Sequence, residues 1–475
     1  MKTIRRAAAT ASVFLLAAGL SACGGDNANP SSGGGDGAGS GSGSGEPLQV
    51  WTLENLPDRL DATKAIIAEF TADTGVEVKL SGIDEDQFNQ LITSAAAAGD
   101  LPDVIGALPL AGVRTLSANE LVDTAAAGAV VEALGEDTFF PRALELTREG
   151  DAQLSIPSDG WAQLLLYRQD LFEQAGLAVP ETYDAIRAAA QALDSDSVAG
   201  FVGATVPNDA FTQQTFEHLA LGNGCELVDD AGEVSIDSSE CVEAFAFYGD
   251  LLTNYSVAGA QDVDTTRATY FAGQAAMVVW SSFILDEMAG LRENAKPSCA
   301  ECQADPAFLA KNSGIVTAIA GPDGTEPAQF GELVSWAITA ESATEPAQEF
   351  VQYMMSDGYE DWLAFAPEGK FPARQGTAAA ATQYVDAWQT LPAGVDTKAP
   401  LSDFYSPEVL KTLQTSPDTF SRWGITQGQG DLIGAILGEL PVPQAVSALT
   451  GGEVDAAGAA EQAAESVRSI QESLE

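Results

Sequence analysis

Histidine is almost missing from this chain: His218 is the only one in 475 residues. Any Ser-His-Asp or Cys-His scheme would have to pass through it. It lies in Phe211 to Gly222, where helical spacing gives a partly buried helix residue as the plain structural account. There is also no Gly-x-Ser-x-Gly, no phosphate-loop lysine and no His-Glu-x-x-His. Gly428-Gln-Gly430 lacks the third glycine of a dinucleotide loop. Carboxylates are too abundant for counting to exclude a glycosidase-like pair, but no spacing nominates one. Basic residues are scarce, 21 Lys and Arg against 69 Asp and Glu, a formal charge of −48. A field of that sign repels nucleic-acid phosphates and anionic membrane surfaces, so nucleic acid is not an expected partner. Beyond the first 22 residues no apolar run approaches the roughly 20 residues that span a bilayer. With five cysteines, two close pairs for a zinc ribbon are not available, and neither a metal nor a cofactor is expected.

What is present begins with a targeting segment, residues 1–22. Lys2, Arg5 and Arg6 form a positive n-region and Ala7 to Leu20 a short apolar h-region. Leu20-Ser21-Ala22-Cys23 resembles a bacterial lipobox, which implies cleavage before Cys23 and a lipid on its thiol. Arg5-Arg6 raises twin-arginine export, but alanines follow where that signal has bulky apolar residues, so the general secretory route is preferred. Residues 23–47 then read as the lipidated cysteine and a flexible tether, because Gly and Ser bury too little surface to offset their ordering entropy.

From residue 48 the pattern alternates. Leu48 to Thr52 is strand-like. Asp58 to Thr74 carries Leu60, Ile66, Ile67 and Phe70 at helical spacing and stops at Gly75. Val76 to Leu80 is a second strand, Gln87 to Ala98 a second helix, and Asp103 to Gly106 a third strand. Such order argues for parallel βαβ units, whose ligands sit beyond the carboxyl ends of strands. That places Glu54, Asn55 and Leu108 to Leu110 near a site, whereas Asp103 reads as a structural carboxylate. Further on, Leu164 to Tyr167 reads as a short strand buried on both faces, and Asp170 as the cap of a one-turn helix ending at Gly176. Gly200 to Ala204, Gly314 to Ala320 and Leu333 to Thr339 also read as strands.

Several segments in the same chain order carry a resemblance. They are the first strand ending in Trp51, Glu69-Phe70 with Thr74-Gly75, Leu101-Pro-Asp-Val104, and Ile156-Pro157 leading to Tyr167. Asp170-Leu-Phe172, Ala175-Gly-Leu177, Pro180 with Thr182, and Phe271 with Gly273 and Ala275-Ala-Met277 follow. In this order they resemble the extracellular solute-binding proteins of ABC importers, the maltodextrin and sugar-binding type. The resemblance covers about residues 48–475 and implies an α/β, two-lobed periplasmic-binding-protein fold of type II. Each lobe would hold a central, mostly parallel sheet flanked by helices, with a hinge between them. Lobe I would take 48–158 with 313–370, and lobe II 159–312 with 371–475.

The function so implied is a lipid-anchored component on the outer face of the cytoplasmic membrane. It would be a monomer that binds a mono- or oligosaccharide by lobe closure and hands it to the permease subunits. Expected ligand residues are Glu54, Asn55, Trp161, Asn208, Asp209, Trp280, Phe283, Arg374, Trp423 and Gln427, because sugars present C–H faces to aromatics and hydroxyls to polar edges. Trp51, Trp336, Trp362 and Trp388 are expected in the core. Trp161 stands where the maltodextrin pattern has an acid, Asn208 and Asp209 where it has Glu-Pro, Glu54 and Asn55 where it has Asp-Lys, and Trp423 and Gln427 match no residue of it, departures that argue for a smaller or different sugar. A secreted carbohydrate-active enzyme and a sensor that does not transport are the alternatives. With Cys23 lipidated, four cysteines remain in an oxidising compartment. Cys225 and Cys241 bracket a hairpin pattern and Cys299 and Cys302 share a loop, so two local disulfides are expected.

Overall fold

The computed structural model describes residues 46–474; Cys23, its lipobox and the tether up to residue 45 lie outside them. The first βαβ units form as their periodicity requires. Strand β1 (Leu48–Thr52) leads to helix α1 (Pro57–Thr74), which starts with proline in its first turn and buries Thr63, Ile66, Ile67 and Phe70 along one face. Gly75 ends it at φ 77°, where a glycine carries no Cβ penalty. Strand β2 (Val78–Gly82), helix α2 (Glu85–Ala98), strand β3 (Val104–Pro109) and helix α3 (Leu110–Ala118) follow, with β1 parallel to both β2 and β3. Asp103 is structural: it accepts from the amides of Gln49 and Ala343, each at 2.7 Å.

Two long strands carry the rest. Ile156–Arg168 runs 13 residues where sequence periodicity marked only the apolar end, Leu164 to Tyr167. Its first half pairs antiparallel with Gln329–Ile338, which in turn pairs antiparallel with β3. Its second half pairs antiparallel with Met277–Ser281 and Ser313–Val316. One strand therefore threads two regions of the sheet. The core divides accordingly. Val50, Phe70, Val104, Ile156, Trp336, Phe350 and Trp362 belong to one buried cluster, and Leu164 to Leu166, Phe216, Phe245, Met277 and Trp423 to another. Burying a large apolar side chain in either is worth about 1.5–3 kcal/mol. Close contact fixes some identities: a Cβ on Gly106 would come within 2.2 Å of the Trp336 ring.

Two local expectations need correcting. Asp170 does not cap helix Gln169–Ala175. Arg168 is the cap residue, and Asp170 sits in the first turn with both oxygens on its guanidinium at 2.6 and 2.7 Å. Residues 200–204 form only an isolated bridge, Val202 with Val278, not a strand. The helical C-terminal part opens on a two-residue strand, Phe420–Ser421, because Phe420 pairs beside Gln329. Cys225 is bonded to Cys241 and Cys299 to Cys302, as expected. No single helix among the described residues is long and apolar enough to cross a membrane.

Candidate functional site

The long strand Ile156–Arg168 organises the site. Alternation puts Trp161 and Gln163 on one face of it. Trp161 is half-buried, with Phe283 at 6.3 Å and Phe330 at 5.6 Å between ring centroids. Phe283 reaches it from the end of strand Met277–Ser281, and Phe330 from strand Gln329–Ile338. Cations cover the two outer rings. The Arg59 guanidinium stands 6.0 Å from the Phe283 centroid and that of Arg422 4.6 Å from Phe330.

Both cations are held by carboxylates. Arg59 and Lys370 each lie 2.6 Å from Glu54, and Lys370 lies 3.1 Å from Asp159. Burial alone would raise the Glu54 pKa, but Lys370 and Arg59 outweigh it and hold the carboxyl at about 2. Asp159 also accepts from the indole of Trp362 at 2.7 Å. On the other flank Arg422 bonds Glu217 at 3.1 Å and Glu332, the residue opposite Trp161 in the sheet. Glu332 in turn accepts from the first amide of α3 at 3.1 Å. The cations of both flanks are therefore committed to carboxylates.

Several buried polar atoms beside these networks have no partner within the chain. They are both amide atoms of Gln163, Oγ of Ser282, Oγ1 of Thr212 and Thr215, and Oε1 of Gln213. Ser282 is tied to the long strand through the carbonyl of Ala162, and the threonines and Gln213 lie on helix Ala210–Gly222. Buried polar groups are nearly always hydrogen-bonded, so these atoms want partners that the chain does not supply, ordered water among them. His218, on the same helix, is buried and pushed down to about 3, so its ring is neutral; it accepts the Phe330 amide at 3.3 Å.

The expected ligand residues divide. Glu54, Trp161 and Phe283 come together, and Asn55 follows Glu54, half-buried. Trp280 is 6% exposed, gives its indole to the Val263 carbonyl at 3.0 Å and packs on Phe211 at 5.8 Å. Asp209 caps helix Ala210–Gly222 by accepting from Phe211, and Asn208 beside it is exposed. Gln427 is half-buried, with Thr426 donating to it at 3.1 Å.

Arg374 and Trp423 are corrections. The Arg374 guanidinium is buried and spent on the Leu134 carbonyl at 2.7 Å, the Thr138 hydroxyl at 3.0 Å and the Met355 carbonyl. Trp423 is fully buried against Phe216 and donates to the Cys225 carbonyl at 2.8 Å. Trp336, Trp362 and Trp388 are core, as expected, whereas Trp51 is half-buried. Arg59, Asp159, Lys370, Phe330, Glu217, Glu332 and Arg422 went unnamed in the sequence.

The profile of the bacterial extracellular solute-binding protein family matches residues 54–361, the segment that supplies most of these groups. The chain belongs to that family. It is a solute-binding protein. Escherichia coli YcjN, named as an ABC transporter periplasmic-binding protein, is 27% identical over 334 residues, 68% of this chain and 72% of YcjN. Among solved structures, the GacH receptor of Streptomyces glaucescens, studied unliganded and with acarbose, superposes with a TM-score of 0.64 at 18% identity. That match covers 89% of this chain and 98% of GacH. A solute-binding protein of Thermotoga lettingae bound with α-D-tagatose gives 0.64 at 19%, covering 90% of this chain and all of that one. At these identities the likeness shows the fold, the two-lobed α/β frame of periplasmic binding proteins.

Proposed function

We propose that this solute-binding protein takes a neutral, hydroxyl-rich ligand, a mono- or short oligosaccharide, against Trp161, and that it serves an ABC importer. The observation that carries the reading is the pairing of two half-buried rings, Trp161 and Phe283, backed by the buried Phe330, with buried amide and hydroxyl atoms that lack partners. A pyranose offers C–H faces to the rings and hydroxyls to those atoms. Charge supports neutrality: Arg59, Lys370 and Arg422 are each neutralised by a carboxylate, leaving none of them to hold an anionic group. GacH and the Thermotoga protein, which share the fold, were solved with a sugar or sugar mimic, and YcjN is named for an ABC transporter.

In this reading residues 48–158 with 313–370 and residues 159–312 with 371–475 act as two lobes, and the ligand favours the closed arrangement through contacts to both. Lipid on Cys23 anchors the chain outside the cytoplasmic membrane, and the protein works as a monomer that binds without turnover. A thermal-shift screen of neutral sugars tests it, since binding raises apparent stability by mass action. The best sugar should bind Trp161→Ala at least about tenfold more weakly, some 1.4 kcal/mol. A polyamine or metal complex as best ligand, or wild-type affinity in the variant, would sink the proposal.

A further inference from the structure

Behind Phe283 lies a second group of buried charges that the ligand site does not use. Asp286 and Glu287 sit on the short helix Ile284–Met288, and Glu368 on the turn Pro367–Gly369 that leads to the crossing residues Phe371–Pro372. All three carboxyls are buried. The facing cations are few. Arg292 stands 3.3 Å from Asp286, 3.9 Å from Glu287 and 4.0 Å from Glu368. Arg267 stands 3.0 Å from Glu287 but is shared with Asp264 at 2.6 Å. Lys398 acts on Asp286 and Arg59 on Glu368 only at longer range, and Tyr405, which donates to the Leu285 carbonyl at 2.7 Å, offers no proton to the pair. Oδ1 of Asp286 and Oε2 of Glu368 are left without partners.

Two buried carboxyls that draw on one arginine cannot both ionise cheaply. The turn that carries Glu368 also touches the ring beside Trp161. A Cβ on Gly369 would come within 2.0 Å of the Phe283 ring, so the turn that carries Glu368 lies directly on the residue that faces Trp161. We propose that Asp286 and Glu368 retain one proton between them and that its loss releases the turn 367–369 from helix 284–288, making closure of the site pH-sensitive. In mildly acidic medium the contact stays shut and Phe283 stays on Trp161. In alkaline medium two negative charges face each other, and separation of the two elements is their relief.

The direction of titration agrees. Burial, then the neighbouring Asp286 charge, pushes Glu368 up to about 8. Burial pushes Glu287 up to about 7, and raises Asp286 as well. Acids held above their unfolded values stabilise the folded chain fully below those values, and that stability is lost as pH rises through about 7 to 8. The inference goes beyond the ligand reading and stands whether or not the ligand is a sugar.

Infrared spectra, melting temperature and the radius of gyration from small-angle scattering would be followed from pH 6 to pH 9 on the ligand-free chain. The wild type should show a protonated-carboxyl stretch that disappears over this interval, a melting temperature lower by about 3 °C, and a larger radius of gyration. Glu368→Gln should remove the part of the titrating band centred near pH 8 and reduce the slope of both other profiles there, while the fraction from Glu287 and Glu226, each raised to about 7, remains. Asp286→Asn is the second variant should the first not fold, and should do the same. Wild-type slopes in either folded variant would overturn the shared proton. A flattened melting profile with no change in radius for the wild type would overturn the link to closure.

Discussion

Glu54→Gln isolates the network that ties the end of β1 to the crossing segment. In the folded chain the carboxylate faces Lys370 and Arg59, each at 2.6 Å, and is about 9% exposed. Its pKa falls from 4.5 to about 2, because two cations outweigh the burial that would raise it. Each tenfold change in proton affinity is worth 1.36 kcal/mol, so the charged form contributes about 3.4 kcal/mol at pH 7. A lowered acid stabilises above its unfolded value and loses that contribution as pH falls through the folded one. By linkage about 1.4 kcal/mol should remain at pH 3. Urea unfolding of wild type and Glu54→Gln at the two pH values reads the difference directly. A gap below about 1 kcal/mol at pH 7, or one that does not narrow on acidification, would refute the argument that Glu54 is held ionised by its two partners.

Trp423→Ala should cost about 3–5 kcal/mol in unfolding free energy, as for a deleted core aromatic. The residual protein should bind the screened sugar unchanged; a selective loss of affinity would return Trp423 to the site. Replacing Cys225 and Cys241 together by serine opens a loop of 16 residues and should lower stability by about 3 kcal/mol, read as a shift in denaturation midpoint under non-reducing conditions. Cys23→Ser should abolish incorporation of labelled fatty acid in the exporting cell, and continued labelling would contradict the lipid anchor.

Local chemistry was readable directly from residues. The apolar spacing of Ile66, Ile67 and Phe70 and the stop at Gly75 set α1, because a helix of that length is decided by its own face and caps. Cys225 and Cys241 lie close in sequence around a turn, so their pairing needed little knowledge of the fold. The family, too, was visible in the order of short motifs, each degenerate alone.

Contacts distant in sequence were not readable. Glu54 meets Lys370, and Glu217 and Glu332 meet at Arg422, across 90 to more than 300 residues, and nothing in the periodicity of either partner encodes the other. The same limit misplaced Arg374 and Trp423. An arginine or tryptophan has the same chemistry whether it faces a sugar or a backbone carbonyl, and which it faces is settled by packing. Trp161 came out half-buried beside Phe283 and Trp423 in the core, where helix Ala210–Gly222 closes over its ring. Residue type supplies the capacity to bind; the tertiary arrangement determines which groups are left unsatisfied to use it.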